Sequence, residues 1–216
     1  MRNLVGRGGA VILAMVLTAS VAEAQIANQP VYVSPKHGKG LSFAFDYGKG
    51  LNDSSGKLSA YGGRATLGLG FITVMAGASS VSSGSGAGSE LSYGGTASIN
   101  IISAPLVPVG VSVFGGYGTV KINNVRQNSY PIGAAFAVRP PTAGIGIEIW
   151  AAPRVDIKNA ASTTATNFGI SGGVNLDLPI GLGIHAAVDY VAVSNAAPLL
   201  LGVGAHYKFT IPGLGI

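Results

Sequence analysis

From residue 41 the chain alternates between apolar and small or polar positions. Leu41, Phe43, Phe45 and Tyr47 share one parity, and Ser42, Ala44, Asp46 and Gly48 share the other. A period of two is the signature of an extended strand, whose successive side chains point to opposite faces. The pattern returns over residues 61–69, 72–80, 91–101, 109–117, 130–138, 145–151, 167–178, 182–190 and 199–209. Ten strands are therefore predicted, or eight if the third and sixth fail to form. Between them stand turn-forming stretches, such as Asn52-Asp-Ser-Ser-Gly56 and the Ser/Gly run at 81–90. The connections are expected to run long, short, long, short, with the last one brief.

The closing strand shows the two faces most clearly. Leu199, Leu201, Val203, Ala205, Tyr207 and Phe209 are apolar, and Leu200, Gly202, Gly204, His206 and Lys208 fall opposite. Seven rings follow the apolar parity: Tyr47, Tyr61, Tyr93, Tyr117, Tyr130, Phe168 and Tyr190. All lie at the strand end next to an expected longer loop, whereas Tyr207 and Phe209 lie at the other end. Rings gathered on one face and one level are what a membrane interface selects. The expectation is an all-β, transmembrane, antiparallel up-and-down barrel with aliphatic side chains toward lipid and small polar ones toward the lumen.

Composition agrees. Charged residues are 10% of the chain, against about 25% in a soluble domain, too few to cover a water-facing exterior. A soluble barrel with the apolar face inward would have a nearly uncharged Gly/Ser/Asn surface. The N-terminus reads as a cleaved export signal over residues 1–24, with Arg2 and Arg7, an apolar run from Ala10, and Ala22-Glu-Ala24 before Gln25. Residues 25–40, polar and broken by Pro30 and Pro35, are expected as a periplasmic lead-in; Val31-Tyr-Val33 suits an edge strand or a segment tucked into the barrel mouth. The barrel is assigned to 41–209 and a short tail to 210–216. Cysteine is absent, which excludes disulfides and thiolate metal sites. Without Arg2, Arg7 and Glu23, eleven Lys/Arg stand against seven Asp/Glu. The basic residues are scattered, so no nucleic-acid partner is expected.

Chemistry on the inward parity is sparse. The candidates are Asp46, Arg64, Glu148, His185, Asp189, His206 and Lys208, with Phe114 and Trp150 as the large apolar groups. Asp46 and Arg64 fall roughly opposite across the first hairpin and suit a structural ion pair, or else a charge-selective constriction. His185 with Asp189 or His206 has the residue types of a general base or a metal ligand. No third group stands at a recognisable spacing, so cross-hairpin hydrogen bonding is the plainer reading. The Gly-x-Gly pairs 68/70, 144/146 and 202/204 lie on strands with no helix following, which excludes a phosphate loop. No catalytic residue, metal or cofactor is expected. A barrel of about ten strands nearly fills its interior with ordinary side chains, so this glycine-rich face leaves it under-filled. Water in a narrow passage, or a flattened barrel, would take up the space.

The end Gly204-Ala-His-Tyr207-Lys-Phe209 resembles the closing signal of bacterial outer-membrane proteins, and the whole pattern resembles the small OmpA-like and porin-like outer-membrane barrels. The resemblance implies export to the outer membrane, contact with its lipid, recognition of Leu199–Phe209 by the barrel-assembly machinery, and a monomer. It implies a narrow porin-like channel or a permeability or structural role. The rivals are a structural or adhesive barrel acting through its loops, and a lipid-modifying enzyme using His185, Asp189 or His206.

Overall fold

The computed structural model describes residues 26–82, 88–102, 108–122, 125–193 and 196–209. The expected signal and the tail after Phe209 lie outside them. Ten antiparallel strands close into a barrel in chain order: β1 (Lys39–Gly50), β2 (Ser59–Leu69), β3 (Ile72–Ser82), β4 (Ser89–Ile102), β5 (Val109–Ile122), β6 (Val125–Val138), β7 (Gly146–Ala160), β8 (Thr163–Asp177), β9 (Leu182–Ala192) and β10 (Leu199–Phe209). Leu41 pairs with Phe209 and Gly50 with Leu200, which sews the last strand to the first. Closure leaves no edge with unpaired amides, the condition for crossing lipid with strands.

Outward positions carry exposed apolar side chains around the cylinder, including Phe45, Leu91, Ile99, Ile132, Ile149 and Ile184. Tyr61, Tyr93, Tyr117, Tyr130, Phe168 and Tyr190 are exposed on the same surface. Tyr47 lies against Tyr61 and Tyr117 against Tyr130, with ring centroids 4.9 and 5.5 Å apart. We call the end where β1 begins and β10 finishes the base, and the other end the mouth.

The expected alternation of long and short connections is not kept. Residues 119–129, read as a polar loop, are mostly strand, since β5 runs to Ile122 and β6 starts at Val125. β7 likewise continues past Pro153 to Ala160, and β8 resumes at Thr163. Polar strand residues above the apolar belt look like loop in sequence, but the ladder holds them. The prolines are tolerated where pairing is interrupted: Pro131 at the gap between Gly115↔Ile132 and Gly118↔Ser129, Pro153 at the gap between Gly133↔Arg154 and Phe136↔Ala151. A residue without an N–H loses nothing at such a gap.

At the mouth, the β1–β2 loop folds as one 3₁₀ turn, Asp53–Ser55, capped by Asn52 and closed by Gly56 at φ 61°. Asn52 also donates to the Ala197 carbonyl at 2.6 Å, tying this loop to the β9–β10 connection. Asp53 and Lys57 pair at 2.7 Å in full solvent. The hydrogen bond from Lys57 holds the Asp53 carboxyl below the usual carboxylate range.

Candidate functional site

The interior is neither an open passage nor a flattened slot. Residues 26–38, expected as a periplasmic lead-in, run lengthwise inside the barrel, from His37 and Gly38 against Gly68 at the base to Asn28 beside Gly48 and Leu58 near the mouth. We call this segment the strap. Ile26, Ala27, Val31, Tyr32, Val33 and Pro35 on it are buried. The inward glycines are its track: a Cβ at Gly48 would strike the Asn28 carbonyl, at Gly77 the Ile26 side chain, at Gly202 Pro30 and the Tyr32 hydroxyl, and at Gly110 Pro35 and Lys36. The space left by those missing side chains is filled by backbone.

Apolar burial seats the strap. Val31, Tyr32 and Val33 pack against Phe114, Trp150 and the alanines 135, 137, 152 and 187, a core inside the lumen. Burying a side chain such as Val31 contributes on the order of 1.5–3 kcal/mol. Nearer the mouth Ala27 joins Ala60, Val81 and Val120, with Leu58 and Ile122 beside them. Polar contacts to the wall run through side chains: Ala27 N to Ser92 Oγ at 2.8 Å, Asn28 Nδ2 to the Leu58 carbonyl at 2.9 Å, and Ser34 Oγ to Glu148 Oε1 at 2.6 Å. Among the described residues no main-chain to main-chain bond joins strap and wall. The strap is therefore not an eleventh strand.

Charged groups gather at two levels. Toward the mouth, Arg154 donates to Asp156 at 2.9 Å and to Asp189 at 2.8 and 3.0 Å, and Ser171 donates to Asp189 at 2.7 Å. The side chains of Arg154, Asp156 and Asp189 are fully excluded from solvent. Toward the base, Asp46 accepts from Arg64 Nε at 2.8 Å and lies 2.6 Å from His185 Nε2. His185 meets His206 at 3.2 Å, and His206 meets Asp177 at 2.7 Å. Arg139 joins Asp177 to Glu148, and Lys208 stands 3.9 Å from Asp177. Arg64 lies over the Tyr32 ring, 3.9 Å from its centroid, a cation–π contact between wall and strap. Beneath Tyr32 this network borders a cavity of about 60 Å³, with His37, Thr66, Asn175 and Lys208 in its lining. That is room for about two to four waters.

All seven inward candidates thus face the interior, in combinations partly different from those expected. Asp46 is directly opposite Gly62, and Arg64 opposite Ala44, so that pair forms on the diagonal. His206 is likewise opposite Gly183, one diagonal step from His185. The carboxylate that meets His185 is Asp46, while Asp189 belongs to Arg154 and Ser171. Sequence reasoning missed Arg154 and Asp156, because the seventh strand was read as ending at Ala151; the inward parity of Glu148 and Trp150 continues straight to them. Arg139 and Tyr32 were also missed, and Asp177, read as inward on the eighth strand, was not singled out. Among the described residues no cluster of three His, Cys, Asp or Glu is arranged to hold a metal ion.

No protein-family model matches the chain, and no curated protein matches it. Among solved structures it is similar to the N-terminal β-barrel domain of Pseudomonas aeruginosa OprF, at 10% identity over 80% of this chain and 98% of that one, with a TM-score of 0.41. It is similar to the Yersinia pestis outer membrane protein Ail, at 11% identity over 79% and 99%, TM-score 0.42. The third is LpxR from Salmonella typhimurium, at 8% identity over 79% and 100%, TM-score 0.44. The wall itself defines the class. A closed antiparallel cylinder, apolar outside and polar inside, is an outer-membrane β-barrel.

Proposed function

We propose that this protein is a narrow channel of the outer membrane held shut by its own N-terminal strap. One observation carries the reading: a lumen wall lined with Ser42, Thr66, Thr73, Ser98 and Ser112 is occupied by a segment that contributes no backbone pairing to that wall. A wall that closes through β1 and β10 alone keeps its ladder when the strap leaves. Four strap atoms, Asn28 Oδ1, Gln29 Oε1, the Tyr32 hydroxyl and His37 Nε2, are buried without a hydrogen-bond partner, a cost that favours withdrawal. The outward rings serve as interfacial girdles, Leu199–Phe209 is the segment read during assembly, residues 1–24 are removed on export, and the barrel works as a monomer in outer-membrane lipid. No catalytic role is assigned, and His185→Ala and His206→Ala are expected to leave lipid A unchanged.

A closed scaffold acting through its loops is the second reading, favoured by the fully excluded Arg154 cluster. Single-channel recording in planar bilayers separates them. The processed chain should open rarely, and a chain lacking residues 26–38, shown to be folded by heat-modifiable gel mobility, should conduct steadily. A folded deletion variant that never conducts would leave the scaffold.

A further inference from the structure

Asp46, His185, His206 and Asp177 form an unbroken line across β1, β9, β10 and β8. Asp46 Oδ1 lies 2.6 Å from His185 Nε2, His185 Nδ1 lies 3.2 Å from His206 Nδ1, and His206 Nε2 lies 2.7 Å from Asp177 Oδ1. The two ends determine how many protons the line holds. Arg64 donates to both oxygens of Asp46, at 2.8 and 3.2 Å. Asp177 faces Arg139 at 3.4 Å and Lys208 at 3.9 Å. Carboxylates so placed act as acceptors, so each imidazole turns an N–H from Nε2 toward its own carboxylate. Arg64 Nη2 also stands 3.0 Å from His185 Nε2. A guanidinium cannot accept, and its hydrogen goes to Asp46.

A neutral imidazole protonated at Nε2 keeps a bare lone pair at Nδ1. Two such rings would set lone pair against lone pair across 3.2 Å. The ring centroids are 5.5 Å apart, and the excess over the N···N distance is two ring radii, so the nitrogens face each other on the line between the ring centres. One hydrogen between them makes a straight N–H···N bond. A tetrahedral metal would need its two bonds to meet at an angle.

We propose that His185 and His206 are a one-proton binding site, in which a single proton shared by the two Nδ1 atoms makes the pair a monocation between two carboxylates. The consequence for gating rests on the strap reading above. Tyr32 meets His185 edge to face, with centroids 5.0 Å apart, so the pair lies under the strap's anchor. The groups that face it are Asp46 on β1, Arg64 on β2, Asp177 on β8, Lys208 on β10, and Tyr32 and His37 on the strap, with Arg139 reached through Asp177 and Glu148 through Arg139. Asp189, four residues along β9, is held by Arg154. Removing the proton opposes two lone pairs. Adding a second opposes two N–H groups and two positive charges. Either change drives the rings apart beneath Tyr32, so the closed state is most stable at intermediate pH.

The test uses the full processed chain, labelled with ¹⁵N-histidine and refolded in detergent micelles. There are three histidines, and His37 serves as reference. At neutral pH one ring proton should correlate with both Nδ1 atoms of the pair, with a separate proton on each Nε2. Nδ1 atoms that are both protonated or both bare would overturn the site, whatever the channel does. In bilayers the opening frequency should be lowest where the pair holds its one proton and rise several-fold on both the acid and the alkaline side. His206→Gln, whose amide N–H replaces the shared proton, should flatten that profile. A flat or one-limbed wild-type profile would overturn the link to the strap, and the proton count from the resonance data would stand or fall separately.

Discussion

The wall and the strap are built from similar residues and held by different forces. Each strand of the wall is paired with two neighbours through runs of ladder bonds, so local opening must break many hydrogen bonds together. The strap is held by apolar burial, a stacked Arg64 and a few hydroxyl and amide contacts, each of which breaks singly. Two segments of one chain at the same depth thus have different lability. The wall is a frame, and the strap behaves as a tethered ligand.

The sharpest way to break this contrast is to disturb each side alone. Asp189→Ala strips Arg154 of a partner where no water reaches it. Removing one member of a buried pair costs about 3–5 kcal/mol. The urea midpoint of the refolded barrel should fall accordingly, and an unchanged midpoint would mean that the cluster adds nothing to the frame. Gly202→Val acts on the other side, since its side chain would occupy the space of Pro30 and the Tyr32 hydroxyl. It should raise conductance many-fold while gel mobility stays that of a folded barrel. Gly115→Val is the matched control, because a Cβ there meets nothing, and it should alter neither reading. The smallest effect is expected outside both. Lys57→Ala removes an exposed ion pair, which contributes little, and the urea midpoint should not move measurably. The Asp53 carboxyl, held low by the hydrogen bond from Lys57, should titrate upward toward its ordinary value in an NMR experiment. What stability that pairing supplies is present above the ordinary carboxylate range and lost as pH falls through the lowered value.

The wall was legible because alternation is local. A strand that has lipid on one side and a lumen on the other must repeat every two residues, and the repeat passed through Asp46, Glu148, His185 and Asp189 without knowledge of the fold. The limits were local too. Residues after Ala151 looked like loop, although β7 runs on through Pro153, where the ladder is already interrupted, and Lys121 and Arg126 looked like loop, although they pair with each other across β5 and β6. Diagonal rather than direct partnership of Asp46 with Arg64 depends on register, which parity does not define.

From the sequence by itself came the barrel, its strand count and which side chains face inward, because these follow from near-neighbour geometry in a solvent of lipid. The tertiary structure decided what fills the interior. Val31-Tyr-Val33 has the same period as any strand, and its place in the lumen is set only when ten strands close and Gly48, Gly77, Gly110 and Gly202, far apart in the chain, line one groove. The chain of Asp46, His185, His206 and Asp177 has the same origin. Closure brings together four strands whose residues carry no mark of one another.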